Sequence, residues 1–141
     1  MGLLRDEDVV QIRERFNALV NPVKLAHFTQ ELNLEYGRET KQLLEEVAAT
    51  SDKISIEVFN FLIYKEKVAE YGIDKVPATV VHNGKNYGIR FYGLPAGYEF
   101  ANLLDAIITV SAGQSGLSDA TVEKLKAITQ PVHLEVFVTP T

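Results

Sequence analysis

The 141-residue chain contains no cysteine. Disulfides, thiolate nucleophiles and cysteine-ligated metal sites each require the sulfur atom, so all three are excluded together. No apolar run reaches the roughly 18 residues that a membrane span needs. No signal-peptide pattern opens the chain either, because residues 1–4 lead directly into the charged residues 5–8. We therefore expect a cytoplasmic protein that does not bind membranes.

Basic clusters are also missing. The net charge of −5 comes from 14 Lys and Arg and 19 Asp and Glu that are spread along the chain. Without a basic cluster the chain cannot neutralise several phosphates at once, so we expect no nucleic acid partner. The histidines His27, His82 and His133 lie far apart, with no serine or aspartate arranged for a triad. We expect structural roles for them, and neither a metal site nor a cofactor is predicted.

What the chain does contain is an alternation of helical and strand patterns, in a length suited to one domain. Asn83-Gly84 predicts a hairpin with a type I′ turn, and Gly72 predicts a left-handed helix end. Strands joined through a helix are normally parallel, whereas a hairpin is antiparallel. We therefore predict an α/β fold with a mixed four-stranded sheet and helices on both faces. Predicted helices cover residues 6–20, 36–49, 65–71 and 118–128, and an apolar stripe from Phe100 to Ile108 predicts one more helix. Predicted strands cover residues 23–29, 53–59, 78–82 and 87–92.

One short sequence frame occurs twice. Residues 21–25 (NPVKL) and 130–134 (QPVHL) each follow a helical pattern, and Phe28 corresponds to Phe137. This predicts a duplicated unit, present in full over residues 1–112 and, after a linker at 113–117, only as its opening helix and strand over 118–141. The alternative, a chance similarity of two helix-to-strand junctions, stays open.

The final segment, residues 132–138, alternates apolar side chains as a strand does. Leaving that apolar face in water forfeits roughly 1.5 kcal/mol or more per side chain. We therefore expect residues 132–138 to be ordered and paired, either with the edge of their own sheet or with another copy of the chain, which would make a dimer.

The order of the elements, with Val76-Pro77 before the hairpin, resembles the thioredoxin and glutaredoxin superfamily. Three segments, residues 21–25, 87–100 and 137–141, resemble the glutaredoxin-like protein disulfide oxidoreductases, whose two tandem thioredoxin-fold units each carry a CxxC motif. The amino-terminal region of the alkyl hydroperoxide reductase flavoprotein is similar, and its first unit lacks the cysteines. The resemblance implies a thioredoxin/glutaredoxin-like fold in which strands 23–29 and 78–82 are central, an extra helix and strand that begin a second unit, and a chain that stops before the second active site.

The resemblance also implies where the active site would lie. Counted from Pro22, the two cysteine positions fall on Leu34 and Gly37, so Leu34-Glu35-Tyr36-Gly37 replaces CxxC. Leucine cannot ionise and glycine cannot resolve a mixed disulfide, so neither half-reaction of thiol exchange is expected. We predict no catalytic residue and no enzyme activity for this chain.

Two binding features are implied as well. Val76-Pro77 matches the cis-proline loop of the fold, where the residue before proline offers its backbone to an extended peptide. Tyr36, Val76 and Pro77 are therefore candidates for a substrate groove that takes peptide or glutathione. Gly93 and Gly97 match the place where glutaredoxins hold an anionic part of glutathione. The alternative for Val76-Pro77 and for Gly93 and Gly97 is that these residues only shape their loops and bind no ligand.

The expected function is that of a redox-inactive thioredoxin-like domain of a protein disulfide oxidoreductase-like protein. It would support its missing second unit, or present substrate to it, in cell redox homeostasis. Two alternatives stay open. One is a partner-docking amino-terminal domain of an alkyl hydroperoxide reductase-type flavoprotein, and the other is an autonomous peptide-binding adaptor.

Overall fold

The computed structural model describes residues 2–32 and 34–139 of the chain. Within them, helices and strands alternate in the predicted order. No helix among these residues is long and apolar enough to cross a bilayer. The elements are α1 (Asp6–Phe16), β1 (Val23–Thr29), α2 (Gly37–Ala48), β2 (Ile54–Asn60), α3 (Lys65–Tyr71), β3 (Ala78–His82), β4 (Arg90–Tyr92), α4 (Tyr98–Ala112) and α5 (Asp119–Leu125).

The four strands form one mixed sheet in the order β2-β1-β3-β4. β1 runs parallel to β2, with Val23 opposite Ile54, and antiparallel to β3. β3 pairs with β4 in antiparallel fashion, with Thr79 opposite Phe91. The predicted mixed sheet is confirmed, and so is the central position of β1 and β3.

Each face of the sheet carries its own apolar cluster, because side chains alternate along a strand. On one face, Val23 and Leu25 of β1 pack with residues of α1, α2 and α4. On the other face, Ala26 and Phe28 pack with Tyr71 of α3. Helices therefore cover both faces of the central strands, which explains why β1 is buried along most of its length.

Several predicted boundaries shift by a few residues. α1 ends at Phe16, although Leu19 beyond it is still buried. α2 and α5 are shorter than predicted, and β2 lies one residue further along the chain. The left-handed helix end at Gly72 is confirmed, with φ of 62°.

The type I′ turn predicted at Asn83-Gly84 is wrong. Gly84 has φ of 97°, but Asn83 does not have the positive φ that this turn requires. The Asn83 side-chain amide donates to the carbonyl of Val110 at the end of α4, 3.2 Å away. Because this tertiary contact holds Asn83, the strands join through a longer loop, and β4 begins only at Arg90.

The prediction that residues 132–138 pair with the chain's own sheet is also wrong. These residues form no strand, and every residue from 112 to 139 is exposed. A strand needs a neighbour that satisfies its N–H and C=O groups, and neither β2 nor β4 receives this segment. Pairing between copies stays a prediction. Pro140 and Thr141, at the end of the predicted second unit, lie outside the described residues.

Candidate functional site

A groove opens where β1 leads into α2, at the segment predicted to replace the CxxC motif. It encloses about 620 Å³. Leu34 is half-buried, Gly37 is buried at the first position of α2, and the Tyr36 ring is exposed. The residues that line the groove include Thr29, Gln30, Leu34, Tyr36, Gly37 and Lys41.

Leu34 and Gly37 lie in very close contact. A Cβ built on Gly37 would lie 3.3 Å from Cβ and only 2.6 Å from Cδ2 of Leu34. The second distance means that any larger residue at position 37 would require the Leu34 side chain to shift. The distance of 3.3 Å between the two Cβ positions lies just below the range of about 3.5–4.5 Å found between the Cβ atoms of a disulfide. Positions 34 and 37 therefore have nearly the spacing of a cysteine pair, and neither carries sulfur.

The beginning of α2 leaves backbone donors open. Tyr36 has left-handed φ of 58°, and its carbonyl accepts from both the N–H and the hydroxyl of Thr40. The N–H groups of Arg38 and Glu39 have no partner among the described residues. Such a helix start favours negative charge. In this chain the apolar side chain of Leu34 packs against that start.

The peptide bond between Val76 and Pro77 is cis, as the resemblance implied. The Pro77 carbonyl accepts from the N–H of Gly93 at 2.8 Å, whereas the backbone of Val76 has no hydrogen-bond partner within residues 2–32 and 34–139. Because Ala78 pairs with Phe28, this loop lies at the same end of the sheet as the α2 groove. Val76 and Pro77 do not line that groove, whereas Tyr36 does.

An exposed apolar loop, which we did not predict, lies at the same end of the sheet. The Phe61 N–H donates to the Thr29 carbonyl at the end of β1, and Leu62 and Ile63 follow it, 63% and 72% exposed. Tyr64 is also exposed. The run of four apolar residues directly after β2 was the available sequence signal, since a loop is normally polar.

The two candidate anion-site glycines do not form one site. Gly93 and Gly97 both have positive φ, of 83° and 61°, which glycine adopts without strain. The N–H of Gly93 is already donated to Pro77, and only Gly97 lines the cavity at the start of α4. Glu99 stands in the first turn there, and burial raises the pKa of its carboxyl group.

The histidines lie apart in the structure as well. His27 is fully buried, with Nδ1 3.5 Å from Thr79 Oγ1 and no partner for Nε2 among the described residues. Burial lowers the pKa of His27 to about 4. Nε2 of His82 lies 3.4 Å from the Tyr71 hydroxyl oxygen. Burial lowers the pKa of His82 as well, although the nearby Glu57 carboxylate acts in the opposite direction. The His133 side chain is largely exposed.

The chain is similar in sequence to several curated proteins. No protein-family model matches the chain. The alkyl hydroperoxide reductase AhpF of Staphylococcus epidermidis is 32% identical over 106 residues, which are 74% of this chain and 18% of that protein. AhpF of Staphylococcus aureus strain N315 is 27% identical over 108 residues, 76% of this chain and 19% of that protein. The chain therefore spans less than a fifth of the length of these relatives.

Solved structures agree with the sequence matches. A protein disulfide oxidoreductase from Aeropyrum pernix superposes with a TM-score of 0.83 at 28% identity, covering 96% of this chain and 60% of that one. The NTD_N/C domain of the alkyl hydroperoxide reductase AhpF from Enterococcus faecalis gives a TM-score of 0.81 at 26% identity. That match covers 90% of this chain and 62% of the other chain. Both matches extend beyond α4.

Proposed function

We propose that this chain, a thioredoxin-fold relative of the amino-terminal region of the alkyl hydroperoxide reductase AhpF and of a protein disulfide oxidoreductase, is a redox-inactive domain that binds a partner at the end of its sheet. The observation that carries the proposal is the pair Leu34 and Gly37, which have nearly the Cβ spacing of a disulfide without its sulfur atoms.

Loss of sulfur removes the chemistry but leaves the surrounding framework in place. Thiol–disulfide exchange begins when a thiolate attacks a disulfide sulfur, and it ends when a second thiol resolves the mixed disulfide. Leu34 and Gly37 provide neither group. Position 34 lies just before the start of α2, where open N–H groups would stabilise a thiolate. The lack of activity would then follow from the residue types at positions 34 and 37 rather than from a changed fold.

Binding at this end of the sheet would use the backbone of Val76. Its N–H and C=O groups make no hydrogen bond to the described residues, so an extended peptide can pair with them as an added strand. Tyr36, Leu62 and Ile63 provide exposed apolar surface at the same end of the sheet. Main-chain pairing with apolar contacts favours an unfolded or flexible segment of a partner over glutathione.

Two kinds of partner fit this role in a cytoplasmic protein. One is a second thioredoxin-like unit on the same polypeptide, because the matched structures are longer than this chain. The other is a redox partner of a flavoprotein, and the identity to the alkyl hydroperoxide reductase AhpF favours it. The autonomous peptide-binding adaptor uses the same surface without either larger protein.

The redox part of the proposal can be tested by returning the sulfur atoms. We expect no insulin disulfide reduction by the unmodified chain. The double variant Leu34→Cys/Gly37→Cys should form a disulfide, seen as the loss of two hydrogens by mass spectrometry. In its dithiol form it should pass two electrons and two protons to a disulfide of insulin. Leu34→Cys alone is the control, because it can form a mixed disulfide but cannot resolve it.

Two results would contradict this part of the proposal. Turnover by the unmodified chain would mean that activity does not depend on sulfur at these positions. A folded double variant whose thiols cannot be oxidised to a disulfide would mean that positions 34 and 37 are not a former cysteine pair.

The binding part can be tested by NMR titration with an unfolded peptide and, separately, with reduced and oxidised glutathione. We expect peptide-induced shifts near Tyr36, Val76 and Pro77. Ile63→Ser should weaken binding because it removes apolar contact, whereas Val76→Ala should retain it because the main-chain groups remain. The absence of shifts with peptide at millimolar concentration would leave only a structural role.

A further inference from the structure

The loop between β3 and β4 contains an asparagine that is followed by a glycine. Asn83 is half-buried and Gly84 is exposed, so water reaches the pair. An asparagine in this position can cyclise, because the backbone nitrogen of the next residue can attack the carbonyl carbon of its side chain. Glycine has no Cβ to hinder that attack. A Cβ built on Gly84 would meet no atom within 4 Å, so the space around this backbone is open.

The backbone nitrogen that would attack is hydrogen-bonded to a histidine. The Gly84 N–H donates to Nδ1 of His82 at 3.1 Å. Because Nδ1 accepts this bond it carries no proton, and the ring proton therefore lies on Nε2, 3.4 Å from the Tyr71 hydroxyl oxygen. An unprotonated imidazole nitrogen within hydrogen-bond distance of an N–H group can act as its general base.

Charged groups from β1, β2 and α3 act on the His82 ring. Burial lowers the pKa of His82 below 6.5, and Lys24 acts in the same direction. The carboxylates of Glu57 and Glu70 raise that pKa but do not cancel the effect of burial. At neutral pH the ring is therefore uncharged, which is the state that a general base needs.

Hydrogen bonds hold the side-chain amide of Asn83 in place. Its Oδ1 accepts from the N–H of Lys85 at 3.2 Å, so the side chain spans Gly84. This donor would stabilise the negative charge that develops on Oδ1 during the attack. Nδ2 donates to the carbonyl of Val110 at 3.2 Å and to the hydroxyl of Tyr87 at 3.3 Å. The amide is thus held between the reacting backbone and the end of α4.

We propose that Asn83-Gly84 is a self-modifying site at which the chain deamidates Asn83, with His82 as the general base. The Gly84 nitrogen forms a bond to Cγ of Asn83 while Nδ1 of His82 takes its proton. The Cγ–Nδ2 bond then breaks, the proton passes from His82 through water to Nδ2, and ammonia leaves. Water opens the resulting five-membered imide at either carbonyl, which gives aspartate or isoaspartate at position 83. Water is the only co-reactant.

This modification would release the loop from α4. It removes the amide that donates to the Val110 carbonyl and puts a carboxylate in its place. That carbonyl lies near the C-terminal end of α4, where the helix dipole disfavours negative charge. A mainly apolar cavity of about 290 Å³, lined by Tyr87, Ile89 and Val110 among others, adjoins this contact and would open. Neither redox activity nor peptide binding is involved.

Incubation of the full chain at neutral pH, followed by peptide mapping with mass spectrometry, measures the reaction as the replacement of an amide by an acid group. We expect Asn83 to convert well before Asn86, which is exposed in the same loop but precedes a tyrosine. His82→Gln should slow conversion of Asn83 at least about tenfold, because glutamine can accept the hydrogen bond but cannot take the proton. In urea, where the loop is unfolded, both chains should convert at the same rate.

The pH profile tests the role of His82 without relying on a variant. In the folded unmodified chain the conversion rate should level off above the pKa of His82, because the base is then fully unprotonated. A rate that rises in proportion to hydroxide throughout would overturn the proposal. So would equal rates in the folded unmodified chain and folded His82→Gln, or an intact Asn83 after the time in which the unfolded chain converts completely.

A third variant tests the release of the loop. Asn83→Asp reproduces one of the two products and should lose the bond to Val110. We expect faster amide hydrogen exchange over residues 83–89 in this variant, while exchange in β1 stays unchanged. Unchanged exchange over residues 83–89 would overturn the release from α4.

Discussion

The α1–β1 region and the α5 region share a sequence frame but differ in their surroundings. Leu25 and Phe28 in β1 are fully buried, whereas their counterparts Leu134 and Phe137 are 85% and 89% exposed. β1 lies between β2 and β3, which pair with it on both sides, and helices cover both of its faces. The segment after α5 has no strand beside it. Similar local sequence therefore becomes a central strand only where partners from elsewhere in the chain surround it.

The largest expected difference between the regions concerns their phenylalanines. The Phe28 ring lies 5.2 Å from the Phe59 ring and 5.8 Å from the Tyr71 ring. Phe28→Ala should lower the free energy of unfolding by about 3–5 kcal/mol, because it leaves a cavity in the core. Phe137→Ala should change it by less than about 0.5 kcal/mol. Urea unfolding of both variants measures the difference, and an equal loss in both would mean that residues 132–138 are packed.

The second difference is a pH dependence that belongs to His27. Burial lowers its pKa from 6.5 to about 4 in the folded chain. As the pH falls below about 6.5, the unfolded chain binds a proton first, so stability decreases until the folded chain also binds one near pH 4. The loss from this residue is about 3 kcal/mol.

His27→Val gives position 27 the same residue type as its counterpart, Val136. This variant should lose less stability than the unmodified chain as the pH falls from 6.5 to 4. His133→Gln, at an exposed position, is the control and should leave the decrease unchanged. Some decrease in stability with falling pH should remain in His27→Val, because burial also lowers the pKa of His82. An unaltered pH profile in His27→Val would contradict the buried neutral histidine.

Two serines sharpen the comparison further. Oγ of buried Ser111 accepts from the N–H groups of Val20 and Asn21 and donates to the Asn21 carbonyl, which joins the end of α4 to the start of β1. Ser111→Ala should cost about 1–3 kcal/mol, because buried backbone groups lose their partner. Ser118 caps α5 by accepting from the Thr121 N–H. Ser118→Ala should loosen α5 alone, and thermal unfolding with hydrogen exchange separates a global from a local effect.

The smallest expected effect comes from removing the second region. No residue from 112 to 139 is buried, so deletion of everything after Gly116 should leave the melting temperature nearly unchanged. Light scattering of both chains tests the pairing of residues 132–138 between copies. A full chain that is a dimer and becomes a monomer after deletion would support that pairing, whereas a monomer in both forms would contradict it.

Much of the fold could be predicted because local periodicity records burial. The short apolar run of β1, the alternation in β2 and the apolar stripe of α4 gave correct element types, and the bounds of β1, α3 and β3 were correct to the residue. The long loop at Asn83 could not be predicted, because a hydrogen bond to Val110, 27 residues away, shapes it. The exposed loop at Leu62 and Ile63 was missed because apolar residues after a strand usually enter the core.

The candidate site divides in the same way. The absence of cysteine by itself excludes thiol chemistry. The resemblance assigned Leu34 and Gly37 to the two cysteine positions and made Val76-Pro77 part of a candidate groove. The close contact of Leu34 with Gly37 and the unpaired backbone of Val76 became visible only in three dimensions. Residue types are fixed by the sequence, whereas distances between them depend on how separate elements pack.

The sequence by itself determined which elements form, their order and the chemistry that is missing, because these depend on residue type and on neighbours in the chain. Tertiary structure alone decided that residues 23–29 become a central strand while the similar residues 132–138 do not. Pairing requires N–H and C=O groups of distant segments at the right distance, and burial requires helices on both faces. Local sequence encodes the tendency to be extended but does not contain those partners.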